Sequence, residues 1–237
     1  MKKKTDFSQR IFVGITNDFD GSWRDKLREI NKLKITTAAL FLEQVATKKE
    51  RQEVYAELEK STIRKIPLIH IRNNMARDEL AYLCEKYDNP CLTIHEESFK
   101  YLDKWKGFYK NLFLELNYDN HLAGQVAVDK IGGFCIDLSH FKAGEEKWSK
   151  EFLYVLSQKK EGGNFICNHV NGYSYKSNEN IHTVSNLKQF DYLKTLPRFL
   201  FGKIIAIETY NTIKEQLKFK KRIGKKWPSI MEVLPVL

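Results

Sequence analysis

Eight short runs of apolar, β-branched and aromatic residues punctuate the chain, at 11–15, 36–43, 66–71, 91–95, 112–116, 133–137, 164–168 and 203–208. Such continuous runs, without in-and-out alternation, are what strands buried on both faces require. Between them lie charged stretches with helical spacing, as in Trp23, Leu27 and Ile30, then Val54, Leu58 and Ile63, then Leu80 and Leu83. Strand followed by helix, eight times over, predicts parallel pairing through right-handed crossovers. A single α/β domain over 1–237, closed as a (β/α)8 TIM barrel, satisfies both demands. Pro67 and Pro90 open strands, Gly132, Gly133, Gly162 and Gly163 precede strands, and Gly202 follows a helix. A doubly wound open sheet would also alternate, but the first run continues IFVGITNDFDG and has no glycine-rich phosphate turn.

Composition narrows the picture without choosing a reaction. At 237 residues, 42% hydrophobic and 13% aromatic, the chain has ample material for one core, which excludes a disordered protein. No apolar run approaches the roughly 18 to 20 residues that cross a bilayer, and the start, MKKKTDFSQR, lacks a signal peptide's hydrophobic segment. The expectation is a soluble cytoplasmic protein with no membrane contact and no obligate protein partner. Cys84, Cys91, Cys135 and Cys167 show no paired spacing and are expected as buried free thiols. The net charge of +10 favours anionic partners such as DNA or a sugar phosphate.

The chemistry sits at the strand ends. His70, His95, Glu115, Asp137, His140, His169 and Glu208 stand at or just beyond the ends of six apolar runs, with His182 between the last two. In a barrel the C-terminal strand ends converge on one mouth. Imidazole and carboxylate are the usual ligands of zinc, manganese and related ions, and eight candidates exceed what one tetrahedral zinc uses. His121, in YDNHLAG, fits no ligand position and is expected at the surface, where a helix starts.

Several of these stretches carry a resemblance. FCIDLSHFKAG is similar to the Asp-x-x-His strand of the endonuclease IV group, within the xylose-isomerase-like TIM barrels. NHVNGY looks like the group's seventh strand, IIAIETYN like its last ligand strand, and ALF at 39–41 like its second. The resemblance runs in order from about strand two to strand eight. It implies a zinc hydrolase, with manganese as the alternative ion, that cuts DNA at abasic or damaged sites. One ion would take His70, His95 and Glu115; a second would share Glu115 and add Asp137, His169 and Glu208. A third would take His140, His182 and an acid two residues earlier, where this chain has Asn180, unless Glu179 or a phosphate oxygen substitutes. Glu115 and Glu208 would be the catalytic carboxylates, in a phosphodiester hydrolysis assisted by the ions.

The substrate rim is expected from Arg72, Asn73, Asn74 and Met75 after the third run, and from Tyr173, Tyr175 and Lys176 after the seventh, with Asn180 beside them. The tail LKFKKRIGKKWPS adds basic residues around Phe219 and Trp227, suited to a last helix's solvated face or to phosphate contacts. The same fold family also implies a second reading, a sugar or sugar-phosphate isomerase or epimerase. Its single-ion quartet would be Glu115, Asp137, His169 and Glu208, with the other histidines contacting substrate hydroxyls. A barrel without catalysis, serving as a scaffold, is the third.

Overall fold

The computed structural model describes residues 7–17 and 23–233, with side chains described as far as residue 225. Its strands are β1 (Ile11–Phe12), β2 (Gly14–Ile15), β3 (Ala39–Phe41), β4 (Leu68–His70), β5 (Cys91–His95), β6 (Leu112–Glu115), β7 (Gly133–Asp137), β8 (Phe165–Val170), β9 (Gly172–Ser174), β10 (Glu179–Ile181) and β11 (Ile204–Ile207). Nine form one parallel sheet in the order β1-β11-β8-β7-β6-β5-β4-β3-β2. The two end strands, β1 and β2, are separated in the chain by Val13 alone, so the sheet curls into a nearly closed barrel. The close approach is visible at Gly14, where a Cβ would lie 2.0 Å from the Ile207 carbonyl oxygen. Only glycine fits there.

Period-two alternation divides each strand between two cores. Ile11, Val13, Leu40, Ile69, Leu92, Ile94, Leu114, Phe134 and Ile136 belong to the large outer layer beneath the helices. Ala39, Phe41, Leu68, Cys91, Phe113, Cys135, Cys167 and Ala206 form a separate small cluster inside the barrel. Continuing that inner parity by two residues brings Phe41 to Glu43, Leu68 to His70, Phe113 to Glu115, Cys135 to Asp137, Cys167 to His169 and Ala206 to Glu208. The inner face is therefore apolar below and ionisable at its C-terminal end.

The outer layer departs from a helix after every strand. The helices are α1 (Trp23–Lys32), α2 (Lys48–Lys60), α3 (Arg77–Lys86), α4 (Leu138–Lys147), α5 (Lys150–Lys160) and α6 (Ile213–Val233). Trp23, Leu27, Ile30, Val54, Leu58, Leu80 and Leu83 all turn inward as their spacing predicts. Thr47 and Glu50 form a reciprocal capping box at the start of α2, satisfying two otherwise orphaned N–H groups. After β5, however, Glu96–Trp105 winds as a 3-10 helix, and β6 is followed by a loop with only a short 3-10 turn at Val128–Lys130. The first of these segments carries Ser98, Phe99, Tyr101 and Trp105, residue types that favour the α-helix weakly. His121 lies exposed in that loop rather than at a helix start; its N–H donates to Asp119 and to buried Glu151.

All four cysteines are free and buried. Among the described residues, no helix is long and apolar enough to cross a membrane. Phe219 is buried on α6 under the tail's basic residues, while Trp227 lies outside the described side chains.

Candidate metal centre

Seven ionisable side chains meet at the barrel mouth. His70 ends β4, with its Nε2 3.0 Å from Glu115 Oε2 and 3.4 Å from Glu43 Oε1. His95 ends β5 and places Nε2 2.9 Å from the same Glu43 oxygen. Across the barrel, His169 Nδ1 lies 3.0 Å from Glu115 Oε1 and 3.5 Å from Glu208 Oε2. Glu115 thus divides its two oxygens between two histidines on opposite sides. Asp137 Oδ1 caps α4, accepting from the Ser139 and His140 N–H groups and the Ser139 hydroxyl, and its Oδ2 accepts from Asn171 Nδ2 at 3.1 Å. That cap aims the carboxylate at the centre.

Three overlapping groups offer ligand atoms within 4.8 Å of one another: Glu43, His70 and His95; His70, Glu115 and His169; and Glu115, Asp137, His169 and Glu208. These buried clusters could hold metal ions. Tetrahedral zinc at about 2.0 to 2.1 Å from each donor sets neighbouring donors roughly 3.3 Å apart. The shortest donor contacts, 2.9 to 3.5 Å, are near that edge, and all the donors of each group lie within 4.8 Å of one another.

Without a cation the cluster must balance its own charge. Burial raises the Glu208 carboxyl well above the usual range, an effect that His169 offsets only in part and that Glu115, Glu43 and Asp137 reinforce. Burial also pushes against ionised Glu115, but His169 and His70 hold it well below that range. Burial opposes a charged His169, yet Cys135, Glu115 and Glu208 raise it well above an ordinary histidine. In the same way Glu43 falls to about 2 against its own burial, through His70 and His95, while His95 rises to about 9 through its bond to Glu43. Four carboxylates around three imidazoles lack positive charge, which is the condition a divalent cation relieves.

The remaining candidates fall around this centre. His140 sits in the first turn of α4 with Nδ1 buried and unpartnered, near Tyr118. His182 follows β10, stacked on Tyr210 with ring centroids 5.3 Å apart, its Nδ1 3.2 Å from the Glu208 carbonyl and its Nε2 2.8 Å from Asn180 Nδ2. Neither joins a donor group among the described residues. Arg72 and Asn73 line a cavity of ≈ 270 Å³ with Glu43, His70 and His95. Asn74 is exposed and bonded to the Ala46 carbonyl, whereas Met75 is wholly buried. Tyr173 is buried, its hydroxyl donating to Asn178, and Tyr175 and Lys176 are exposed on the hairpin that β9 and β10 form.

Glu43 escapes the sequence reading although its signal is present: in ALFLE it follows Phe41 on the inner parity, as His70 follows Leu68. The hairpin is a second omission. Residues 172–181 read as rim loop, yet Gly172, Tyr173 and Ser174 pair antiparallel with Ile181, Asn180 and Glu179.

No protein-family model matches the sequence, and no curated protein matches it. A solved structure described as "The crystal structure of AsfvAP:AG" superposes with a TM-score of 0.42 and 12% identity, covering 95% of this chain and 99% of that one. What stands is a nearly closed parallel α/β barrel with ionisable clusters at its mouth that could bind metal.

Proposed function

We propose that the chain is a metal-dependent phosphodiesterase acting on abasic or damaged DNA, built on an eightfold barrel in which β1 and β2 are one strand interrupted at Val13. One observation carries this reading: Glu115 faces His70 with one oxygen and His169 with the other, each at 3.0 Å. A carboxylate shared between two donor sets suits a pair of ions, the arrangement used for in-line displacement at phosphorus. His70, His95 and Glu115 would hold one ion and Glu115, Asp137, His169 and Glu208 the other, zinc first on donor type. Bound there, ions of this kind neutralise phosphate charge and make a coordinated water acidic.

The chain's own groups supply the rest. Arg72, on the cavity beside His95, is placed to bind a non-bridging phosphate oxygen. Glu208, at the end of the last barrel strand, would share in holding the second ion and orient the water it activates. Exposed Lys176 and Tyr175 offer a charge and a ring to flanking nucleotides. The +10 net charge favours the same partner.

A second reading is supported by Glu115, Asp137, His169 and Glu208, the four-membered group among the three. A single ion there suits isomerisation of a sugar or sugar phosphate, the two glutamates moving protons at carbon. Elemental analysis beside two assays separates the readings. Two or more ions with incision of an abasic-site duplex is the expected result; one ion with turnover of a ketose panel would establish the isomerase instead.

A further inference from the structure

The sequence places no acid at residue 180, where the resemblance calls for one, and the structure places an unassigned acid, Glu43, across a small cavity from His182. The consequences at both positions can be derived. His182 Nδ1 faces a carbonyl oxygen, that of Glu208, at 3.2 Å. A carbonyl cannot donate, so the proton sits on Nδ1, and the lone pair of Nε2 is the acceptor for the Asn180 amide N–H at 2.8 Å. His182 therefore has a neutral amide beside Nε2, where His70 and His95 have carboxylates beside theirs. With Tyr210, His182 instead walls a small cavity of ≈ 120 Å³ that also touches Glu43 and Glu208.

Glu43 shows the reverse. Its Oε1 lies 2.9 Å from His95 Nε2 and 3.4 Å from His70 Nε2, so one carboxylate oxygen faces the inward nitrogens of both histidines. The side chain is 32% exposed and touches both mouth cavities, so it is open to an ion and to substrate. It lies two residues beyond the end of β3 and keeps the inner parity of Phe41, as the other strand-end donors keep that of their strands.

We propose that Glu43 is a protein ligand of the ion on His70 and His95, and that this chain is a two-ion centre whose His182 and Asn180 form cavity wall. The inference rests on the metal-dependent reading above. It assigns the first ion two imidazoles and two carboxylates, Glu43 and shared Glu115. The chain thus lacks an acid at 180 and gains one two residues beyond β3, and the cavity beside Tyr210 becomes space for substrate.

The test is titration of the metal-stripped full chain with zinc, followed by calorimetry and elemental analysis, and with cobalt, followed by its visible absorption. Wild type, Glu43→Ala and His182→Ala are compared, with circular dichroism confirming that each is folded. The expected result is two ions on wild type, at least about tenfold weaker binding of one of them in Glu43→Ala with an altered cobalt spectrum, and two ions on His182→Ala. Two ions bound by Glu43→Ala with unchanged affinity and spectrum would overturn the assignment while leaving the metal-dependent reading intact. Three ions on wild type, with one lost in His182→Ala, would overturn it as well. One ion on wild type would overturn it in favour of the buried quartet alone. No ion would remove the metal-dependent reading itself, and this inference with it.

Discussion

The two ends of the donor cluster differ in their access to solvent. Glu115, Asp137, His169 and Glu208 are all less than a tenth exposed, whereas Glu43 and His95 are about a third and a quarter exposed beside a cavity of ≈ 270 Å³. The buried end is closed to water, and the open end has room for a further ligand. In the proposed reading the quartet would be a fixed anchor, and substrate would arrive beside Glu43 and His95.

The largest effect should come from breaking the element both ends share. Glu115→Gln keeps the shape but removes the charge between His70 and His169. Metal content should fall below one ion and activity by ~10³-fold, the equivalent of roughly 4 kcal/mol of lost electrostatic stabilisation. Retention of both ions in elemental analysis would dissolve the comparison.

A paired substitution sharpens it next. His169→Ala, in the anchor, should abolish detectable turnover, while His95→Ala should lower kcat about 10- to 100-fold and respond to added zinc. Steady-state kinetics against zinc concentration reads both. Equal losses, neither rescued by metal, would mean that the two ends do not differ.

Acidity separates the metal-free from the loaded state. The raised His95 contributes stability that is complete below about 6.5 and is lost as pH rises through about 9. The depressed Glu43 contributes stability that is complete above about 4.5 and is lost as pH falls through about 2. In chelator, the melting temperature should therefore decline from pH 6.5 to 9, and Glu43→Gln should flatten that decline. With zinc the slope over the same window should turn upward, because ligation requires imidazoles without protons. Parallel slopes with and without zinc would contradict ligation by His95.

The smallest effect belongs to the rim. Arg72→Ala should raise KM a few-fold and weaken its dependence on salt, with kcat nearly unchanged, since it removes a phosphate contact only. A large loss of kcat would move Arg72 into the reacting centre.

Much of this was legible in the runs of the sequence because barrel strands are short, apolar and end in chemistry. His70, Asp137 and His169 each stand within one residue of the end of a run, and the structure gathers them. Glu43 ends its run in the same way, but the eye follows histidines, and only the inner parity through Ala39 and Phe41 distinguishes it from a solvated loop acid. The 3-10 winding of Glu96–Trp105 was illegible for another reason: spacing reports which face is buried, not how tightly the backbone turns. Met75 and Tyr173 look like rim residues from their neighbours in sequence, yet both are buried, because Trp105 Nε1 bonds the Met75 carbonyl and Tyr192 packs on Tyr173. Pairing between distant elements decides those two positions.

The central claim is that the strand-end donors bind divalent cations in the folded state. Its most direct test is the melting temperature of metal-stripped wild type with and without added zinc or manganese at pH 7.5. Binding to the folded chain alone must raise it, by about 2.7 kcal/mol of stability at a hundredfold excess over Kd. A clear upward shift, absent in Glu115→Gln, is the result predicted; an unchanged melting temperature with both metals would contradict the account.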